Sequence, residues 1–155
     1  MATENQNSNH IHLDTLPSAK GLRFALVVSH WNSEITESLY KGAKNILSQK
    51  NATQIDRIDV PGSFELVYAS RSAIDRDYDA VIAIGSVIRG ETSHFDYVCQ
   101  GVTNGIQQLN ALGKAPVIFC VLTDDNLDQS RARSGGSLGN KGVEAAAAAI
   151  QMARL

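Results

Sequence analysis

Arg23-Phe24-Ala25-Leu26-Val27-Val28-Ser29 is a short, nearly unbroken apolar run. A strand covered by helices on both faces carries that signature, whereas a strand with one wet face alternates. Forward of it, Ile35, Leu39, Ala43, Ile46 and Leu47 fall at helical spacing, with Asn32 and Ser33 available as caps. The pattern then repeats. A strand over residues 55–60 ends at Pro61-Gly62 and a helical stretch covers about 64–74. The third and most apolar strand spans 79–85, and Phe95, Val98, Cys99, Val102, Ile106 and Leu109 mark an amphipathic face. A fourth strand spans 116–122, and Val143, Ala146, Ala147 and Ile150 mark the last helix.

Strands that alternate with helices imply right-handed crossovers and a parallel sheet. The expected fold is α/β, a three-layer sandwich with a four-stranded parallel sheet, flavodoxin-like, with helices on both faces. Backward from Gly21 the pattern stops. Residues 1–20 are rich in Asn, Ser and Thr with isolated apolar residues, which reads as a flexible N-terminal arm before a domain over 21–155. His10 and His12 lie in that arm without a third ligand nearby, so no metal site is expected there.

The chain has 155 residues, 14 Lys plus Arg against 16 Asp plus Glu, and 43% hydrophobic residues. That length fits one domain, and the near-neutral charge excludes the clustered cations with which a nucleic-acid binder replaces counterions. The N-terminal stretch has no Lys or Arg before Lys20 and no run of seven apolar residues, so it does not read as a signal peptide. The longest apolar runs fall far short of the roughly 20 residues that span a bilayer, so no membrane association is expected. Cys99 and Cys120 sit in apolar stretches on different elements, which reads as buried free thiols in a reducing, cytoplasmic setting.

In parallel α/β sheets, ligands bind beyond the carboxyl ends of the strands. That rule selects loops at 29–33, 60–65, 85–94 and 122–141, and the unusual residues of the chain lie in them. Gly85-Ser86-Val87-Ile88-Arg89-Gly90-Glu91-Thr92-Ser93-His94 leads into a helix, with Ser93 and Asp96 spaced as a capping box. A helix N-terminus after a glycine suits a phosphate, and equally suits a plain turn and cap. The fourth loop carries Arg131, Arg133, Ser134-Gly135-Gly136 and Gly139-Asn140-Lys141-Gly142, a second candidate anion site or a solvated basic loop. No GxxxxGK[ST] or GxGxxG is present, which turns the reading from nucleotides to a small phosphorylated molecule. Trp31, the single tryptophan, stands where it can stack on a flat heterocycle, and Glu65 where it can meet ligand hydroxyls. His94 can move protons near neutral pH, and no nucleophile is paired with it.

Over about residues 21–155 the sequence resembles the lumazine synthase family. The likeness rests on Trp31-Asn32-x-x-Ile35-Thr36, Val60-Pro61-Gly62-Ser63-Phe64-Glu65, Val87-Ile88-Arg89-Gly90-Glu91-Thr92-Ser93-His94-Phe95, Val121-Leu122-Thr123 and Gly139-Asn140-Lys141-Gly142-x-Glu144-Ala145-Ala146, in that order. Many members carry Phe where Trp31 stands, and Glu91 replaces a commonly small residue. The resemblance implies condensation of 5-amino-6-(D-ribitylamino)uracil with 3,4-dihydroxy-2-butanone 4-phosphate, without metal or organic cofactor. It implies Trp31 stacked on the pyrimidine, with Asn32, Ser63, Phe64 and Glu65 on the ribityl chain and ring edge. Val87 and Ile88 would contact the ring through backbone. Gly90, Glu91 and Thr92 would cradle the phosphate, Arg133 would reach it from a neighbouring subunit, and His94 would shuttle protons. Phe119, across the interface, and Lys141 would line the site. The implied assembly is a homopentamer with its active site at the subunit interface; closure into an icosahedral shell and association with riboflavin synthase stay open. A non-catalytic relative that keeps the pocket, and a receiver-type domain, are the other readings. A receiver needs an acidic cluster where Ser29-His30-Trp31-Asn32 stands.

Overall fold

The computed structural model describes residues 13–155, so the His10–His12 pair lies outside the described residues. In chain order the elements are β1 (Arg23–Ser29), α1 (Ser33–Gln49), β2 (Gln54–Val60), α2 (Leu66–Ile74), β3 (Ala80–Ile88) and α3 (His94–Leu112). They continue with β4 (Val117–Asp124), α4 (Leu127–Arg133), β5 (Ser134–Gly136), β6 (Gly139–Asn140) and α5 (Lys141–Met152). The first four strands form one parallel sheet in the order β2-β1-β3-β4. The chain runs from β1 outward to β2, then crosses back to β3 on the other side of β1. That reversal leaves a crevice between the carboxyl ends of β1 and β3.

Period-two alternation divides β1 between two cores. Phe24, Leu26 and Val28 join Ile82, Ile84 and Leu122 under α1 and α5. Ala25 and Val27 join Val81, Ala83 and Val121 under α2 and α3. Both faces of β1 and β3 are therefore dry, which is why the runs read as continuously apolar. β3 and β4 extend beyond their apolar stretches, pairing out to Ile88 and Asp124. The ladder continues there on backbone hydrogen bonds after the helical cover has ended, a region where hydrophobicity carries no signal.

Three local expectations are corrected. Asn32 takes a left-handed conformation (φ 57°) and its side chain does not cap α1. Ser93 precedes α3 without a side-chain cap, and Asp96 pairs with Arg89 instead of closing a capping box. The segment 122–141 is not one glycine-rich loop: it holds α4 and the β5–β6 hairpin. Gly135 (φ 126°) and Gly139 (φ 77°) take the positive dihedrals that the hairpin requires, which few other residues tolerate. Within the stretch read as an arm, residues 13–20 lie against the fold. Leu16 and Ala19 are buried, and the Ala19 amide donates to the Lys50 carbonyl at 2.6 Å. Cys120 is buried, its thiol pushed up to about 12 by desolvation, whereas Cys99 is only half-buried; neither forms a disulfide.

β2 is an edge strand, and it carries a charged cluster. Arg57 lies 4.6 Å from the Tyr40 ring centroid, donates through Nε to Asp59 at 2.8 Å, and grips Glu37 of α1 with both terminal nitrogens. The hydrogen bonds from Arg57 hold the Glu37 carboxyl below its ordinary value. A lowered carboxylate stabilises the fold above its unfolded-state pKa, and that stabilisation is lost as pH falls through the folded value. Because the pair is more than a third exposed on the Glu37 side, the gain is only about 0.5 kcal/mol. Glu37→Gln is accordingly expected to unfold slightly earlier in urea at pH 7. The difference from wild type should vanish on acidification through the lowered Glu37 value, and a difference that persists there would assign it to packing.

Candidate active site

At the end of β1 the Thr36 hydroxyl donates to the Ser29 carbonyl at 2.9 Å, fixing the turn into α1. Asn32 donates through Nδ2 to the Ser86 carbonyl at 2.9 Å, so this turn is strapped to β3 across the crevice. Trp31 stands between these anchors, 71% exposed, with its indole beside the crevice.

The turn from β2 to α2 brings Ser63, Phe64 and Glu65 to the same place. Ser63 is buried, and a Cβ on Gly85 would come within 2.7 Å of its hydroxyl, so the glycine lets this turn lie directly on β3. Phe64 lies over α3 at Gly101, where a Cβ would meet the ring at 2.7 Å. The hydroxyls of Ser63 and Ser86 are both buried and have no hydrogen-bond partner. Buried polar groups are almost always paired, so Ser63 and Ser86 in the wall of the hollow, with Ser70 outside it, are exceptions.

The far wall is the start of α3. The Thr92 hydroxyl accepts from the His94 amide at 3.4 Å, and Gly90 has open space around it. A 19-residue helix presents its free N–H groups and positive end here, next to the His94 imidazole. The half-open hollow measures about 640 Å³ and is lined on its apolar side by Trp31, Phe64, Val87, Ile88, Phe95 and Val98. That volume lies in the usual range for small-molecule sites.

Of the residues singled out in the sequence, Trp31, Ser63, Phe64, Glu65, Val87, Ile88, Gly90, Thr92 and His94 meet at this hollow. Asn32 stands behind it as a strut, and Glu91 is exposed outside its lining. Phe119, Arg133 and Lys141 do not reach the hollow of their own chain. Phe119 projects from the edge strand β4, 42% exposed. Arg133 ends α4, with Nη1 donating to the Gln129 carbonyl at 3.1 Å and Nε 3.8 Å from Asp124. Lys141 pairs with Glu144 one turn along α5 at 2.7 Å. Arg131, the other cation of that stretch, is held by Glu34 of α1 at 2.8 Å. Sequence reasoning missed Ser86 and Tyr97. A serine following Gly85 in an otherwise apolar strand was the available signal for the first; Tyr97 lies one turn beyond His94, on the same helical face.

Among the described residues, no group of three or more His, Cys, Asp or Glu is placed to hold a metal ion. No described helix is long and apolar enough to cross a membrane.

Comparison with known proteins bears directly on this arrangement. The chain matches the model of the 6,7-dimethyl-8-ribityllumazine synthase family over residues 21–155. Proteins of that name from Christiangramia forsetii, Flavobacterium johnsoniae and Porphyromonas gingivalis are 53%, 56% and 49% identical to it. The alignments cover 100%, 99% and 100% of this chain and 95%, 82% and 98% of those proteins. A family match over residues 21–155 and identity near one half over essentially the whole chain place the chain in the 6,7-dimethyl-8-ribityllumazine synthase family.

Proposed function

We propose that the hollow between Trp31 and the start of α3 is where this chain carries out its family's reaction. That reaction joins 5-amino-6-(D-ribitylamino)uracil to 3,4-dihydroxy-2-butanone 4-phosphate, giving 6,7-dimethyl-8-ribityllumazine, phosphate and water. The observation that carries this reading is the convergence of Trp31, Phe64, Glu65 and His94 with the N-terminus of the 19-residue α3 on one hollow. A flat polar heterocycle with a phosphorylated partner matches that combination.

In this reading the pyrimidine stacks on Trp31, with Val87 and Ile88 along its edge and Ser63, Ser86, Phe64 and Glu65 on the ribityl side. The phosphate sits at Gly90, Glu91 and Thr92, where the backbone N–H groups and the dipole of α3 favour an anion. The Glu91 carboxylate then faces solvent, away from the like charge. The arylamine adds to the ketone, and the carbinolamine loses water to an imine. Elimination of phosphate and ring closure with loss of a second water complete the product. His94 moves the protons of these steps, and the α3 N-terminus stabilises the departing phosphate. Holding two reactive partners in register supplies much of the acceleration, so no strong nucleophile is required.

Arg133, Phe119 and Lys141 complete the site from a neighbouring copy, in a cytoplasmic homopentamer whose catalytic domain spans residues 21–155. The large aromatic side chains left exposed around the hollow, Trp31, Phe64 and Tyr97, support burial against such a neighbour. Optical assay of the two substrates should show product above the spontaneous background, from a protein that sediments as a pentamer. A folded wild type that gives no acceleration, or one that sediments as a stable monomer, would count against the reading.

A further inference from the structure

Arg89 is the one cation within the 85–94 segment, and it does not line the hollow. Its neighbours Ile88 and Gly90 do. The guanidinium turns the other way: Nε donates to Asp125 just beyond β4 at 3.0 Å, and Nη1 donates to Asp96 in the first turn of α3 at 3.2 Å. The guanidinium carbon also lies 4.1 Å from the centroid of the Phe95 ring. The Arg89 amide donates to the Asp124 carbonyl at 3.0 Å, so backbone and side chain reach adjacent residues of the same segment. Asp124 in turn accepts from Ser130 of α4 at 2.7 Å.

We propose that Arg89 is a positioning residue that clamps the first turn of α3, and with it His94, to the end of β4. The clamp rests on the reading of the hollow given above. His94 is an exposed first-turn residue, and the turn before α3 lacks a side-chain N-cap. Among the described residues, Arg89 makes the ion pairs that join this turn to the sheet. A fork that meets two carboxylates from different elements while lying on an aromatic ring fixes a direction, which a point charge on a flexible stem does not. With both carboxylates engaged, the guanidinium holds the cradle in shape and leaves the substrate phosphate to the backbone N–H groups.

The test is steady-state kinetics on assembled wild type, Arg89→Met, Arg89→Lys, Asp125→Asn and the Arg89→Met/Asp125→Asn double variant. Displacing a proton-transfer group by a fraction of an ångström lowers kcat more than it alters binding. The expectation for Arg89→Met is a fall of about tenfold in kcat, with both KM values within about twofold of wild type. Arg89→Lys should recover part of the loss. Asp125→Asn should fall in the same direction, and the double variant should be no worse than Arg89→Met, since partners in one interaction are non-additive. An unchanged kcat in Arg89→Met overturns the clamp. So does a raised KM for the butanone phosphate at constant kcat, which would make Arg89 a phosphate ligand, and so does additivity in the double variant. Should Arg89→Met fail to assemble, Asp125→Asn, which removes one carboxylate oxygen and leaves the backbone alone, carries the test by the same kcat criterion. A wild type without turnover overturns the reading of the hollow and the clamp together; a fully active wild type beside an unaffected Arg89→Met overturns the clamp alone.

Discussion

Gly142→Ala is expected to cost about 3 kcal/mol of stability, the upper end of what overpacking usually does. A Cβ at this position would lie 2.0 Å from the Leu39 carbonyl oxygen and 2.7 Å from its carbon, both backbone atoms of α1. No rotamer change relieves that contact. α5 would have to lift off α1 along their whole crossing, opening the core in which Leu39, Ala146 and Ile150 are fully enclosed. Asn140 sits in the same joint: its Oδ1 accepts from the Gly142 amide at 2.8 Å while Nδ2 donates to the Ser38 carbonyl at 3.0 Å. In thermal unfolding the loss corresponds to a fall of about 8 °C for a chain of this size. Gly90→Ala is the control, because a Cβ there meets nothing within 4 Å. A Gly142→Ala protein that melts with wild type would mean that α5 shifts against α1 at little cost.

Arg133→Ala is expected to raise the KM for 3,4-dihydroxy-2-butanone 4-phosphate by about thirtyfold, the loss of a charge-assisted hydrogen bond to phosphate, with little effect on the pyrimidine substrate. The fold should tolerate the change, because within its own chain Arg133 makes only a contact to the Gln129 carbonyl and a 3.8 Å approach to Asp124. Arg133 does not line its own hollow, and that makes a stronger test available. Protein carrying Arg133→Ala, mixed and reassociated with protein carrying His94→Ala, should regain roughly a quarter of wild-type activity, because in a head-to-tail ring one random junction in four unites an intact His94 with an intact Arg133. Mixing that restores nothing would place Arg133 and His94 in one subunit's site, and an unchanged KM in the single variant would remove Arg133 from the phosphate altogether.

How far the sequence reached follows from where hydrophobicity carries information. The four strands and their flanking helices were legible because β1 and β3 are dry on both faces and α1 and α3 each bury one stripe. The segment beyond β4 was not legible. Leu-Asp-Gln-Ser-Arg-Ala-Arg has one large apolar residue in seven, so α4 leaves no helical period, and the hairpin after it resembles an anion loop because its turns need glycine. The hollow was legible wherever its residues run together, as at 63–65 and 87–94, since a loop at a strand end draws attention as a block. Ser86 stood within the 85–94 segment but was given no role, because a small hydroxyl side chain carries no charge, ring or dihedral signature. Arg133 and Lys141 were visible as cations of the 122–141 stretch, whereas Phe119 and the reach of Arg133 into a neighbouring subunit entered only through the family resemblance, because no period or spacing within one chain announces what a second copy would contribute.

The strut at Asn32 has a consequence for which substitutions position 32 can accept. Glycine adopts the positive φ without strain but has no side chain to reach the Ser86 carbonyl. Aspartate tolerates the dihedral nearly as well, yet at neutral pH it sets a carboxylate against that carbonyl. Serine and glutamine offer donors but resist the left-handed backbone. Backbone and hydrogen bond together thus favour asparagine strongly at this turn, and a saturation library screened for folding and turnover should return asparagine there far more often than at the neighbouring exposed Ser33.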